Sequence, residues 1–419
     1  MHCGFCQQVC PTYLETGDEN ESPRGRLFLM RAVDEERLEL DATVAAHLDH
    51  CLDCRACETA CPSGVEYSRV LEPFRVRQRI ARPQDAPASQ RGWAGKIQRD
   101  ILPDRNRLRR WLAPARLGQR LGLGKLAHAL KLQHALPAPL RRMTEQLPPP
   151  PPRHAALPER LLPAFSANAT SASTTQATRV GLLLGCAGEV FTPQVNRAAA
   201  AVLQALGCEV YTPAAQGCCG ALAYHEGRAT PAIEHWRALA QVFGTAEAPE
   251  HLISTAAGCG SMLHDLQRVA DELGVDDPAI HRMGARAVDF HRFVAGLTWP
   301  ERLQAVPLRA AYDPACHLVH AQGVRDEPLQ LFARVPELEL LDYDEAEVCC
   351  GAAGSYVLSQ PEMSDQIGLR KARHILASGA EAVITANVGC AMQIQRCARQ
   401  LGSDLAIYHP AEILAKALA

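Results

Sequence analysis

The chain has 419 residues, 47% of them hydrophobic and 21% charged, the balance of an ordinary soluble protein too long for one core and suited to about two to four domains. Its formal net charge of −3 hides an uneven distribution: Arg75 to Arg142 holds 17 Lys/Arg against 3 Asp/Glu, and the remainder 26 against 43. There is no apolar run near the ~18–20 residues of a membrane span and no apolar secretory signal, and the 17 cysteines fall into C-x-x-C runs and Cys-Cys pairs, which excludes a disulfide scaffold in favour of thiolate ligands in a reducing, cytoplasmic compartment.

Residues 1–75 carry two cysteine runs. "CLDCRACETACP" supplies Cys51, Cys54, Cys57 and Cys61, followed by Pro62, the C-x2-C-x2-C-x3-C-P spacing that holds iron–sulfur clusters. Three thiolates two residues apart wrap one face of a cubane, and the fourth, followed by proline, reaches the other cluster. A structural zinc site uses paired C-x-x-C elements and has no need of this run. The opening "MHCGFCQQVCP" supplies Cys3, Cys6 and Cys10 with Pro11, and on the same template its first ligand falls immediately before Met1. The crossover assigns Cys51, Cys54, Cys57 and Cys10 to one [4Fe-4S] cluster, and Cys3, Cys6 and Cys61 to a second that lacks its fourth ligand. We expect a true start upstream of Met1 rather than a genuine three-cysteine [3Fe-4S] site. The apolar residues of "GRLFLMRAVDEERLELDATVAAHLDH" recur at helical spacing and predict helices joining the two loops. Two such clusters conduct electrons and activate no substrate, so no catalytic residue is expected.

Residues 76–147 form the basic segment, predicted as short helices broken by Pro83, Pro87, Pro103, Pro114 and Pro137, which excludes one long amphipathic helix. Trp93 and Trp111 lie among its arginines. It suits an anionic membrane surface or an acidic partner subunit, or equally a solvated face packed on acidic neighbours of the same chain. Residues 148–178, from "PPPPP" to "SANATSASTTQATR", read as a linker.

The C-terminal half is an internal repeat. Cys186, the pair Cys218-Cys219 and Cys259 recur as Cys316, the pair Cys349-Cys350 and Cys390, at offsets of 130 or 131 residues, which defines domains at 179–300 and 305–419. "RVGLLLG", "HLISTAAG", "LRAAYDP", "AEAVITANVG" and "DLAIYHP" predict strands alternating with helices such as "QVNRAAAAVLQALG" and the one begun by "CAMQIQRCARQLG". That alternation implies parallel sheets covered on both faces, with the cysteines in loops at strand ends and near helix N-termini. Adjacent cysteines are awkward for one tetrahedral ion but reach different irons of a cluster. Each repeat gathers four, leaving open a further iron–sulfur cluster, a zinc ion, a strained vicinal disulfide or an inert buried pair. Cys208 and Cys397 have no counterpart and read as core residues. His225, His317 and His320 lie beside these loops, as ligands, proton carriers or hydrogen-bonded structural residues. There is no Walker loop and no G-x-G-x-x-G after a strand, hence no nucleotide or flavin site. No nucleic-acid motif accompanies the basic stretch, so a metal-sensing nucleic-acid binder is a distant alternative.

Two C-x2-C-x2-C-x3-C-P runs followed by two Cys-Cys-Gly domains resemble the electron-transfer subunits that include heterodisulfide reductase components. The iron–sulfur subunit of anaerobic glycerol-3-phosphate dehydrogenase is similar in layout. "HCGFC", "CPTYLETGDENESPRGR", "HLDHCLDCRACETACPSGVEY", "CCGALAYHEG", "HAQG" and "CCGAAGSYVLSQPE" point to the glycolate oxidase iron–sulfur subunit family. The resemblance implies an α+β multidomain fold: an N-terminal helical two-cluster ferredoxin-like domain, then two tandem α/β Cys-Cys-Gly domains with parallel sheets. It implies partner subunits that carry FAD and oxidise glycolate to glyoxylate, with this chain passing electrons toward a quinone at the inner face of the membrane. Lactate, other 2-hydroxyacids and glycerol 3-phosphate are the alternative substrates of such a complex. In the heterodisulfide reductases the motif ends in C-x-x-C, whereas here the second cysteine is replaced by Met262 and Gln393, which puts their unusual cluster in doubt.

Overall fold

The computed structural model describes residues 3–81, 95–121, 147–148, 150, 157, 161–164 and 178–419. Pro83, Pro87, Trp93 and Pro137 of the basic segment, and most of the 148–178 stretch, lie outside them.

The N-terminal region is helical: α1 (Phe5–Gln8), α2 (Pro11–Thr16), α3 (Pro23–Asp34), α4 (Ala42–Asp49), α5 (Ala56–Thr59) and α6 (Ser68–Ala81). The boundaries follow from local chemistry. Pro11 and Pro23 occupy first-turn positions, where a missing N–H costs nothing. Ser22 Oγ accepts from Gly25 N at the start of α3, and Asp41 accepts from Thr43 N and Val44 N at the start of α4. The apolar faces of these helices close on a small core of Met30, Leu48, Leu71 and Phe74.

In the basic segment, α7 (Arg105–Arg120) runs without interruption through Pro114, contrary to the expected break. Proline removes one intrahelical bond, but tertiary contacts hold both sides of it. Leu108 and Leu112 pack on Val190 and Phe191, Arg105 binds Glu189 at 2.6 Å, and Arg116 donates to the carbonyl of Val190 at 2.8 Å. Pro103 does lie at a boundary, just before α7.

The repeats form two sheets. The first, in the order β1-β3-β2-β4-β5, uses β1 (Leu161–Leu162), β2 (Thr178–Leu183), β3 (Cys208–Tyr211), β4 (His251–Ser254) and β5 (Ala287–Asp289). The second, β7-β6-β8-β9, uses β6 (Leu308–Asp313), β7 (Leu338–Leu341), β8 (Ala382–Thr385) and β9 (Ala406–Tyr408). Every pairing is parallel except β1 with β3. The edge strand β1 comes from the stretch expected to be pure linker: Leu162 supplies an apolar side chain to the first core.

Four helices in this half bear on the site: α8 (Cys186–Phe191), α9 (Pro193–Ala205), α10 (Ala257–His264) and α11 (Val388–Gln400). A further helix, α12 (Pro410–Leu418), packs on α9. One core therefore runs through both repeats, joining Leu182, Val202 and Leu203 of the first to Leu331, Ile384 and Leu414 of the second. In the first repeat the cysteines follow the carboxyl ends of the central strands β2, β3 and β4, and in the second those of β6, the edge strand β7 and β8, the ends at which open α/β sheets bind ligands.

Candidate metal centres

Cys10 is placed by a buried polar network. Its Sγ lies 3.3 Å from Thr12 Oγ1, which donates to the carbonyl of Glu21 at 2.6 Å. Arg26, almost wholly buried, binds Glu21 Oε2 at 2.5 Å, Thr12 Oγ1 at 3.1 Å and the carbonyl of His47 at 2.7 Å. His47 and His50 also hydrogen-bond Glu21. The outcome is that Cys10 faces the second run: Cys10, Cys51, Cys54 and Cys57 line one cavity of about 20 Å³. Asp53 and Arg55 take left-handed φ values of 54° and 61°, which turns the loop so that its thiols converge. Cys3 is exposed, and Cys6 and Cys61 are half-buried. Backbone N–H groups of Val65 and Ser63 lower the Cys61 thiol, while burial raises Cys51 and Cys57.

In each repeat the four expected cysteines come together. Cys186 Sγ is 3.7 Å from Cys218 Sγ, and Cys259 packs against the cluster that holds Cys219. Cys316 Sγ is 4.0 Å from Cys349 Sγ, and Cys350 and Cys390 share one buried cluster. Cys186 opens α8, while Cys259 and Cys390 sit in the first turns of α10 and α11, so helix N-termini face the sulfurs. Hydrogen bonds to neighbouring thiols, then burial, push Cys186, Cys316 and Cys350 well above an ordinary thiol. Cys349 is lowered because Cys316, Cys350 and Cys54 all hydrogen-bond to it. Such crowding disfavours several thiolates at once and suits a donor set that a metal centre deprotonates on binding. Among the described residues, no three cysteine sulfurs lie within 4.8 Å of one another; the one trio of His, Cys, Asp or Glu that does is Asp53, Glu72 and His225. Zn–S bonds of about 2.3 Å would bring four sulfurs closer than that. Both sets face a shared cavity of about 790 Å³ between the two domains.

The two halves meet at Cys54, which packs in one buried cluster with Cys349. Four further contacts fix this junction. Arg55, buried, reaches Glu72 at 3.1 Å and Asp265 at 2.5 Å, and His317 Nε2 bonds the carbonyl of Asp53 at 2.8 Å. Tyr356 Oη donates to the carbonyl of His50 at 2.9 Å, and Arg75 bonds the carbonyls of Cys51, Leu48 and His225.

The three histidines singled out by sequence all have hydrogen-bond partners. His320 meets Thr59 Oγ1 at 2.8 Å, and His317 Nδ1 meets Ser261 Oγ at 2.7 Å. Burial and the neighbouring His225 push His317 down to about 4. His225 Nδ1 lies 3.0 Å from Glu72 and 3.1 Å from Asp53. Burial alone would lower it, but these carboxylates outweigh that and raise it to about 9. At neutral pH an imidazolium thus occupies the place between the carboxylates that a cation would otherwise take. Cys208 and Cys397 are core residues, 1% and 0% exposed.

Sequence reasoning missed Glu21, Arg26, Asp53, Arg55, Glu72 and Arg75. Asp53 and Arg55 lie inside the recognised cysteine run, so charged residues within such a loop were the available signal. The glycine after each cysteine pair is a geometric requirement. Gly220 and Gly351 have φ of 78° and 80°, and a Cβ on Gly351 would lie 2.9 Å from the carbonyl of Ser364. Gly351→Ala is therefore expected to cost roughly 2–4 kcal/mol, seen as a lower unfolding midpoint; an unchanged midpoint would contradict the strain.

Comparison with known proteins accounts for the same parts. Residues 1–65 match the 4Fe-4S dicluster domain, and residues 180–264 and 310–395 match the Cysteine-rich domain. Residues 94–147, within the basic segment, match the Glycolate oxidase iron-sulfur subunit, linker region. A dicluster domain, which implies two [4Fe-4S] clusters, followed by two cysteine-rich domains, defines an iron–sulfur protein. The chain is 32% identical over 403 residues to the probable glycolate oxidase iron-sulfur subunit of Bacillus subtilis (strain 168), covering 94% of this chain and 87% of that one. It is 30% identical over 431 residues to the glycolate oxidase iron-sulfur subunit of Escherichia coli (strain K12), covering 100% and 93%. The chain belongs to the glycolate oxidase iron–sulfur subunit family. Lactate utilization protein A of Halalkalibacterium halodurans is 28% identical over 237 residues, 56% of this chain and 96% of that one. The crystal structure of a hypothetical protein from Helicobacter pylori shares the fold alone, with a TM-score of 0.55 at 8% identity, covering 100% of this chain and 73% of that one. Among the described residues, no helix is long and apolar enough to cross a membrane.

Proposed function

We propose that the chain is the electron-transfer subunit of a glycolate-oxidising complex. Partner subunits carrying FAD convert glycolate to glyoxylate, and this chain passes their electrons toward a quinone at the membrane. The observation that carries the reading is the full-length match to glycolate oxidase iron–sulfur subunits, linker region included.

Cys10, Cys51, Cys54 and Cys57 are assigned to one [4Fe-4S] cluster, and Cys3, Cys6 and Cys61 to the other. When bound, the clusters supply reversible one-electron chemistry. The residues of this chain hold, orient and insulate them. Burial of Cys10 and Cys54 excludes water from the inner end. Arg26 and Arg75 place buried positive charge beside Cys51, which offsets part of the rise that burial imposes on its thiol. The Cys186, Cys218, Cys219, Cys259 set and the Cys316, Cys349, Cys350, Cys390 set each supply four thiols, enough for a further iron–sulfur cluster or for one zinc ion. The cations of α7 and its exposed Leu117, with Leu121 just beyond its end, suit an anionic membrane surface.

The match to lactate utilization protein A favours lactate as the second reading. Assay of the purified complex with glycolate, lactate and glycerol 3-phosphate separates them: glycolate is expected to be preferred, and preference for either other substrate rejects the assignment. Iron analysis is expected to give more than about eight irons per chain if the cysteine-rich domains are loaded.

A further inference from the structure

The shared cavity has two unlike walls. One is made by the cysteine loops of both repeats with His225 and His317. The other is apolar and built largely by the basic segment: Leu102, Trp111 and Leu112 face Phe191, Val388 and Met392. At about 790 Å³ it falls within the range of small-molecule sites. Nothing in the thiol chemistry of the repeats requires an apolar wall of this extent.

Among the described residues lining the cavity, four buried polar atoms have no hydrogen-bond partner: both carboxylate oxygens of Asp53, Oε1 of Gln194 and Nε2 of His225. Gln194, at the start of α9, has its amide oxygen buried and unbonded, and the same is true of Nε2 of His225. A buried amide or imidazole without a partner costs free energy that a ligand can recover. A side-chain amide can donate to a carbonyl or, turned over, accept from a hydroxyl.

We propose that this cavity binds the electron acceptor itself, a lipophilic quinone, with its ring between the cysteine loops and the apolar wall of α7 and its oxygens toward Gln194 and His225. The inference rests on the reading that the complex reduces a quinone, and adds where it does so. The stoichiometry closes. Oxidation of glycolate to glyoxylate breaks one C–H and one O–H bond and releases two electrons and two protons. Reduction of the quinone to the quinol takes up two of each, forming two O–H bonds, with protons drawn from solvent. The outer face of α7, with Arg107, Arg110 and Arg120 beside Leu117, and Leu121 just beyond its end, would set the cavity against the bilayer in which such a ligand dissolves.

The test uses the purified complex. An azido-substituted quinone, activated by light and mapped by peptide mass spectrometry, is expected to label α7 or residues 186–196, and unlabelled quinone to compete the label away. Ala115→Trp fills the apolar wall, and Gln194→Ala removes a polar contact. Each is expected to lower the ratio of quinone-linked to ferricyanide-linked glycolate oxidation about tenfold at subsaturating quinone. Label confined to the partner subunits, or an unchanged ratio in both variants, overturns this site while leaving the quinone as acceptor. A wild-type complex that reduces ferricyanide but no quinone is a separate result, and overturns the acceptor itself. Where a substitution abolishes both rates through misfolding, labelling of the wild-type complex decides alone.

Discussion

Cys54→Ala is expected to remove about four irons per chain and to stop electron flow from glycolate to quinone, while glycolate still reduces dyes that accept from the flavin. Cys54 belongs to both sides of the junction: it lines the cavity with Cys10, Cys51 and Cys57, and it packs in one buried cluster with Cys349 of the second repeat. Its loss removes a thiol from the set assigned to the inner cluster and a packing contact with the cysteine-rich domain. Cys208→Ala is the matched control, since Cys208 is equally buried but lies in a strand among apolar neighbours. It should retain all its iron. Iron analysis and EPR of the reduced proteins read the difference, and a fully loaded Cys54→Ala chain would remove Cys54 from the ligand set.

The second large effect is expected at Arg55. Its guanidinium is 5% exposed and binds Glu72 and Asp265, with Asp53 beside it. Arg55→Met keeps most of the side-chain volume and leaves buried carboxylates without their cation, which is expected to cost about 3–5 kcal/mol. The loss falls on the seam between the iron–sulfur loop and the first cysteine-rich domain, because Asp265 caps the end of α10. A lower unfolding midpoint should therefore appear together with faster proteolytic release of the N-terminal region. Arg55→Lys keeps the charge but cannot span both carboxylates, and should fall between the two. An unchanged midpoint in Arg55→Met would show that the pair contributes nothing net.

The features legible in the sequence were those written at short range. The cysteine run at 51–61 carries its geometry in its spacing, and the strands of the repeats carry theirs in short apolar runs such as "GLLLG" and "AVIT". The repeat register followed from cysteines alone. What escaped was set by contacts between distant residues. Pro114 reads as a helix break until Val190, Phe191 and Glu189 supply the packing that carries α7 through it. Leu161 and Leu162 look like linker until β3 offers an open edge. Arg55, Glu72 and His225 are unremarkable singly, and form a buried charge network only because the fold brings them together across a separation of up to 170 positions (55 to 225). The meeting of Cys54 with Cys349 belongs to the same class.

The core that runs from Leu182 and Leu203 into Ile384 and Leu414 ties the two copies of the duplication into one cooperative unit. Neither half can melt alone without exposing the apolar surface that the other covers. A lesion in one repeat is thus transmitted to its twin as lost stability, and selection on either copy acts on both. The duplicated halves have become a single heritable object, held at fixed separation by their common core.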